Sequence, residues 1–432
     1  MPSFKFTVTH RDSETKARTG ILRTAHGEVE TPVFMPVGTL GTVKGLTQES
    51  LEELGVQILL ANTYHLYLRP GEQTIREMGG LHRFMAWERP ILTDSGGYQV
   101  FSMAALRKIT DEGVQFRSHL DGSLHMLTPA RAVEIQACLG SDIIMPLDEC
   151  TEFPTSAVTA EKAMERTIAW AAESQRVWRE LAQQDGKAPT ENSKNRNPSS
   201  KQNPISKTQI PNCKEENSEF QIPDSGGTSL TARHEVNQAG PGTLFGIVQG
   251  GTQPDLRREC ARRLVEMDFP GYAICGLSVG EARPLTFEMV EAAEGCLPQE
   301  KPRYVMGVGL PEELPQYVAL GVDMMDCVLP TRNGRNGLLY TSQGRVHIRQ
   351  ARYARDARPV DESCGCPACR RYSRAYLRHL FIAGEMLGKM LNSAHNIYFY
   401  LDTMRRIRQS IGSGSFSRFS LDFRSRLQGE VP

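Results

Sequence analysis

The chain has 432 residues, 50 Lys and Arg balanced by 50 Asp and Glu, and 39% hydrophobic residues, enough for one large domain with additions or for two to three ordinary ones. No stretch approaches the roughly 20 consecutive apolar residues of a membrane span, and the start MPSFKFTVTHRDSETKAR is too polar for a signal peptide, so a cytoplasmic protein is expected. Ten cysteines would mean a disulfide framework in a small secreted chain, but in a long cytoplasmic one they are expected to stay reduced. The zero net charge hides an asymmetry: residues 331–410 hold fifteen Arg and Lys against five Asp and Glu, leaving about +10 there and about −10 elsewhere. A localised basic region is the footprint of a nucleic-acid partner, although a solvated helix face can be equally basic.

In chain order, apolar β-branched runs that end in a polar or Gly residue, each followed by a helical pattern, stand at 32–37, 56–61, 90–93, 142–147, 243–248, 271–275, 303–307 and 322–325. Eight such units predict an α/β fold, an irregular (β/α)8 barrel with its active site at the C-terminal strand ends. The residues there are Asn62 and Thr63, Asp94, Asp148, Gln249, Gly276 and Leu277, Met306 and Asp326. Residues 113–127 read as a β-hairpin with an Asp-Gly turn, and 157–181 as a long helix. Residues 183–242 are rich in Asn, Ser, Lys, Pro and Gln; with so little to bury they cannot offset their ordering entropy, and a disordered insertion is expected. The barrel is thus split into 1–182 and 243–335, followed by a cysteine-bearing subdomain with closing helices at 336–411 and a loose tail at 412–432.

Within VDMMDCVLPTRNGRNG, Asp326 falls where a buried strand ends, and Arg332 and Arg335 follow on a Gly-rich turn able to approach a phosphate. Cys364, Cys366 and Cys369 form C-x-C-x2-C, which places three thiolates around a tetrahedral Zn²⁺ with a histidine as the usual fourth ligand. His379 and His395 compete for that place, and spacing does not decide between them. Four protein ligands would make the site structural. Asp94 in TDSGGYQVFS serves equally as a helix N-cap, and Glu149 rivals Asp148 as the functional acid. Tyr98 and Met306 are either core residues or two surfaces that sandwich a planar ring. Two or more carboxylates at one barrel mouth permit displacement at an anomeric carbon, and Asp, Gln and backbone amides suit the edge of a purine.

Together, TDSGGYQVFS, PLDEC, FGIVQGG, GLSVGE, MGVG, MDCVLPTRNGRNG and C-x-C-x2-C-x25-H resemble the tRNA-guanine transglycosylases of the bacterial type, over about residues 3–182 and 243–411. The resemblance implies base exchange at the wobble guanine of tRNAs with a G-U-N anticodon, in queuosine biosynthesis. Asp326 would be the nucleophile at ribose C1′, Asp94 would manage protons and hold the base, and Asn62 would orient the nucleophile. Asp148, Gln249 and the Gly276 amide would read the guanine edge, Tyr98 and Met306 would stack on its faces, and the Leu277 carbonyl would take the aminomethyl group of the incoming base. Thr331, Arg332 and Arg335 would grip the anticodon loop. The zinc set becomes Cys364, Cys366, Cys369 and His395, with no organic cofactor, and the family adds a homodimer. Cys150 and Val279 match the pattern that takes 7-aminomethyl-7-deazaguanine and not queuine. Alternatives are a transglycosylase that uses queuine or acts at another tRNA position, a non-catalytic tRNA-binding subunit, and a glycoside hydrolase, which carboxylates in a barrel would suggest on their own.

Overall fold

All eight expected strands lie parallel in the computed structural model, which describes residues 4–102, 107–185 and 240–427. The first (Val33–Gly38), second (Leu59–Ala61), third (Ile91–Thr93) and fourth (Ile143–Ile144) pair in sequence, as do the sixth (Tyr272–Ile274), seventh (Arg303–Val305) and eighth (Met324–Cys327). The fifth is broken at Phe245, and the break joins the two halves. Thr243–Leu244 pairs with the fourth strand and Gly246–Val248 with the sixth. Pairing of the eighth strand with the first completes the ring.

Side chains obey the period of two that a pleated strand imposes. Met35, Val37, Leu60, Leu92, Ile143, Phe245, Ile247, Ala273, Tyr304 and Met324 fill the barrel interior. Their neighbours Phe34, Leu59, Ile91, Ile144, Ile274, Val305 and Met325 pack outward in the larger core with the helices. Asp326, two residues beyond inward-facing Met324, is thereby carried to the interior rim.

An antiparallel sheet of Lys5–Arg11, Arg18–Thr24 and Gly27–Thr31, absent from the expected elements, precedes the barrel. Its Leu22 and Val29 join the interior cluster and cover the N-terminal end of the barrel. Arg18, 1% exposed, forks onto Asp323, with Nε to Oδ1 at 2.9 Å and Nη2 to Oδ2 at 2.5 Å, while Asp323 also accepts the Arg303 amide at 2.8 Å. The hairpin is present as Gly113–Arg117 against Leu124–Leu127, extended by Arg107–Thr110. The long helix runs Ala157–Asp185. The expected insertion at 183–242 lies almost wholly outside the described residues.

Beyond the barrel, the hairpin Leu338–Thr341 with Gly344–His347 and the helices Pro367–Arg371 and Arg374–Ile382 share a small core of their own that includes Cys366, Cys369 and Leu377. Helix Met386–Gly412 ties this unit to the barrel. The expected Gly-rich turn after Asp326 is instead a helix, Leu329–Arg335. Its Gly334 is needed for helix packing and not for a phosphate: a Cβ there would lie 2.8 Å from the Asn392 carbonyl oxygen. The tail also differs from expectation, because Phe416–Leu427 is a helix with Phe416, Phe423 and Leu427 buried. Phe416, Phe419, Phe423 and Leu427 fall on one face, a pattern masked by the Ser and Arg between them. Among the described residues, no helix is long and apolar enough to cross a membrane.

The Arg18–Asp323 pair yields a stability test. Asp323→Ala strands a buried guanidinium and is expected to cost about 3–5 kcal/mol in urea unfolding, whereas Arg18→Met with Asp323→Leu should recover most of that loss.

Candidate active site

A cavity of about 390 Å³ opens at the C-terminal strand ends and brings together Asp94, Asp148 and Asp326. Asn62, Tyr98, Gly276, Leu277, Met306, Cys150, Val279 and Arg332 also line it. Gln249 stands directly behind, donating Nε2 to Asp148 Oδ2 at 2.7 Å. Glu149, the rival acid, turns away to ion-pair with Arg166. Tyr98, on helix Gly97–Ser102, is 54% exposed, so its ring is available to the cavity and is not a core residue. Thr331 is buried and Arg335 half-buried one turn along the helix that presents Arg332. That helix follows directly from the strand bearing Asp326, which sets a cation beside the carboxylates.

Each carboxylate is held differently. Asp94 accepts from Asn62 Nδ2 (2.5 Å), the Thr63 amide (2.9 Å), Gln99 Nε2 (2.8 Å) and the Gly96 amide (3.2 Å). The expectation that Asn62 orients Asp326 therefore fails in geometry: its amide serves Asp94, the carboxylate on the neighbouring strand. Asp326 is held by the Tyr304 hydroxyl at 2.6 Å and the Gly307 amide at 2.8 Å, both on Oδ1. Among the described residues, no protein hydrogen bond falls on Oδ2.

Tyr304, Ser95 and Gln99 were not singled out from sequence. Tyr304 had a usable signal, since it lies two residues before Met306 on the same strand face.

Burial dominates the proton affinities. It pushes Asp326 up to about 6, with the Gly307 and Tyr304 bonds opposing and the Asp94 charge adding to the rise. Burial likewise pushes Asp148 up to about 6 against bonds from Gln249 and Ser95. Asp94 is also raised by burial, and its four N–H donors oppose the shift by favouring the ionised form. The Tyr304 phenol is raised by burial and by the Asp326 charge, which keeps it a donor.

Cys364, Cys366, Cys369 and His395 form a cluster able to hold a metal ion, with their sulfurs 3.8, 3.4 and 3.3 Å from His395 Nδ1. His395 Nε2 lies 2.7 Å from the Tyr340 carbonyl oxygen, which requires the proton on Nε2 and leaves the Nδ1 lone pair facing the thiols. His379, the competing histidine, is exposed on its helix. A second group, His26, His82 and Asp142, sits at the opposite barrel end. There the two imidazoles stack with centroids 3.5 Å apart, and His26 Nδ1 at 2.9 Å and His82 Nε2 at 3.2 Å both face the Asp142 carboxylate.

The family model described as queuine tRNA-ribosyltransferase matches residues 12–197 and 224–429. The chain belongs to the queuine tRNA-ribosyltransferase family. Its match extends past residue 411 through the C-terminal helix, beyond the span expected from motifs. Among its relatives, the queuine tRNA-ribosyltransferase of Solibacter usitatus is 52% identical over 417 residues, covering 96% of both chains. That of Caldanaerobacter subterraneus is 47% identical over 429 residues, covering 99% of both. That of Moorella thermoacetica is 48% identical, covering 99% of this chain and 98% of the relative.

A raised carboxyl pKa means the folded chain binds more protons than the unfolded one between about pH 4 and 6, so stability falls as pH rises through that window. Asp326→Asn is therefore expected to stabilise the fold by about 1–3 kcal/mol near pH 8 and to have little effect near pH 4. Denaturant unfolding at the two pH values checks this.

Proposed function

We propose that this chain exchanges a base in tRNA, removing the wobble guanine of G-U-N anticodons and inserting 7-aminomethyl-7-deazaguanine, a step of queuosine biosynthesis. Family membership supports the reaction class, and the carrying observation is Asp326. A buried carboxylate anchored through Oδ1 alone has Oδ2 left to attack. Oδ2 bonds to ribose C1′ as the C1′–N9 bond breaks, and guanine departs with the electron pair and takes up at N9 a proton given by Asp94. Asp94 then removes the N9 proton of the incoming base, whose nitrogen attacks C1′ and releases Asp326. The ester conserves the energy of the glycosidic bond, so exchange requires neither ATP nor an organic cofactor.

Asp148, Gln249 and the Gly276 amide provide acceptor and donor groups for the purine edge, with Tyr98 and Met306 on its two faces. The Leu277 carbonyl suits the aminomethyl group, and Cys150 with Val279 restricts the space around it. Such steric restriction discriminates by about 1–3 kcal/mol. Thr331, Arg332 and Arg335 are assigned to the anticodon loop, where extruding a base from single-stranded RNA costs little and stacking restores part of that cost. Three thiolates and one imidazole suit Zn²⁺, which would cross-link the C-terminal subdomain and take no part in the reaction.

Denaturing gels of enzyme mixed with tRNA should trap a covalent adduct that disappears in Asp326→Asn, and labelled guanine should enter tRNA at the wobble position. An undiminished adduct in Asp326→Asn would sink the assignment. The single-turnover rate should fall about tenfold per pH unit below about pH 6, as Asp326 protonates and loses its nucleophilic form. Metal analysis should find zinc in the purified chain; Cys366→Ser should lose it and unfold at lower temperature.

A further inference from the structure

Arg257 lies on helix Pro254–Glu266, outside the cavity, with its side chain entirely buried. Its guanidinium reaches three backbone carbonyls, Gly251 from Nε at 2.8 Å, Cys275 from Nη1 at 2.9 Å and Gly276 from Nη2 at 3.2 Å. Those carbonyls belong to the turns that end the fifth and sixth strands, the same turns that bear Gln249, Gly276 and Leu277. No ion pair to Arg257 occurs among the described residues. Burial brings its pKa down to about 10, which still leaves it charged at neutral pH.

A cation buried without an ion-pair partner is costly, and the three carbonyls take three N–H groups of one planar fork, one more than a neutral amide carries. One of those carbonyls belongs to the peptide that presents the Gly276 N–H. The carbonyl of Cys275 and the N–H of Gly276 are two ends of one peptide group. A cation on the oxygen end withdraws electron density and strengthens the N–H as a donor, as charge assistance does elsewhere. The clamp also fixes direction. Gly276 has φ +70°, a backbone that L side chains rarely adopt, and a Cβ there would sit 2.3 Å from Gln249 Oε1. Its carbonyl is pinned as well, which fixes the plane of the next peptide and with it the Leu277 backbone.

We propose that Arg257 is a positioning residue that clamps and polarises the Cys275–Gly276 peptide, so that the Gly276 N–H recognises the 6-oxygen of the bound purine. A 7-deazapurine has no N7, so on that edge the 6-oxygen is the remaining acceptor common to the outgoing and incoming bases. The inference rests on the base-exchange reading of the cavity and assigns to it a source of base specificity.

The test compares guanine with 2-aminopurine, which keeps the 2-amino group and lacks the 6-oxygen, as ligands of the intact protein and of Arg257→Gln. Competition with labelled guanine exchange, or calorimetry, gives both affinities. The Gln variant should lose guanine affinity about tenfold while 2-aminopurine affinity changes less than about twofold, and Arg257→Lys, which keeps the charge, should restore part of the preference. Equal loss for both bases would mean a merely structural role, and no loss for either would mean no role; both outcomes overturn the proposal. If Arg257→Gln does not fold, Arg257→Lys carries the same comparison, with a smaller selective loss for guanine expected and an equal loss overturning. If the unaltered protein binds neither base, the base-exchange reading itself fails, an outcome distinct from failure of Arg257 alone.

Discussion

The pairing of one short strand, Met324–Cys327, with the first strand, Val33–Gly38, is the constraint on which the chemistry depends. That pairing closes the barrel and fixes parity at the same time. With Met324 committed to the interior, Asp326 must point to the rim of the same face, and a shift of one register would turn it out among the helices. The seventh strand obeys the same rule, and its inward Tyr304 is the residue that meets Asp326 at 2.6 Å. Neighbouring strands thus supply both the carboxylate and its restraint.

Burial at that rim opposes ionisation, and the site answers with hydrogen-bond donors and not with cations. Asp94 accepts from four N–H donors, while Asp326 has one hydroxyl and one amide on a single oxygen. Asp326 is the less satisfied of the two. Pairing Asp326 with an arginine would have lowered its pKa and stabilised the fold, but would also have occupied the second carboxylate oxygen, which the cavity leaves without a protein partner among the described residues. Arg332, which lines the cavity, stands instead on the helix beyond the strand, with its side chain exposed.

The eight strand runs were legible in the sequence because each is short, apolar and ended by Gly or a polar residue, and the polar end residues proved to converge. Asp148 could not be told from Glu149 by spacing, since adjacent residues share the same motif; parity and the Arg166 ion pair separate them. Asn62 was assigned to Asp326 through resemblance, yet its amide reaches the carboxylate on the adjacent strand, a distinction that only coordinates make. The C-terminal helix was hidden because four apolar residues among Ser, Arg and Asp do not alter composition, although their spacing of three and four was visible. The N-terminal sheet was passed over since its strands alternate with charge and lack a following helix, the cue used for the barrel. Arg257 had no signal at all, because one of the four arginines in PDLRRECARR reads as part of a solvated helix face.

The two ends of the eighth strand show why such a site survives in a stable fold. Asp323, at its N-terminal end, is locked by the Arg18 guanidinium and the Arg303 amide under the covering sheet, and Arg303 in turn pairs with Glu294. Asp326, three residues later, has no ion-pair partner among the described residues. The residue type is the same and both are buried, so the difference lies wholly in what surrounds them. Charges at the closed end of the eighth strand are paired with one another. Those at the open end are left partly unmatched, and their ionisation lowers stability as pH rises. The barrel tolerates this because the interior apolar layers between the two ends hold the strands in register independently of either charge set. The raised proton affinity of Asp326 is therefore a property of its position along the strand: far enough from the ionic plug to lack a counterion, and close enough to the interior to be dry.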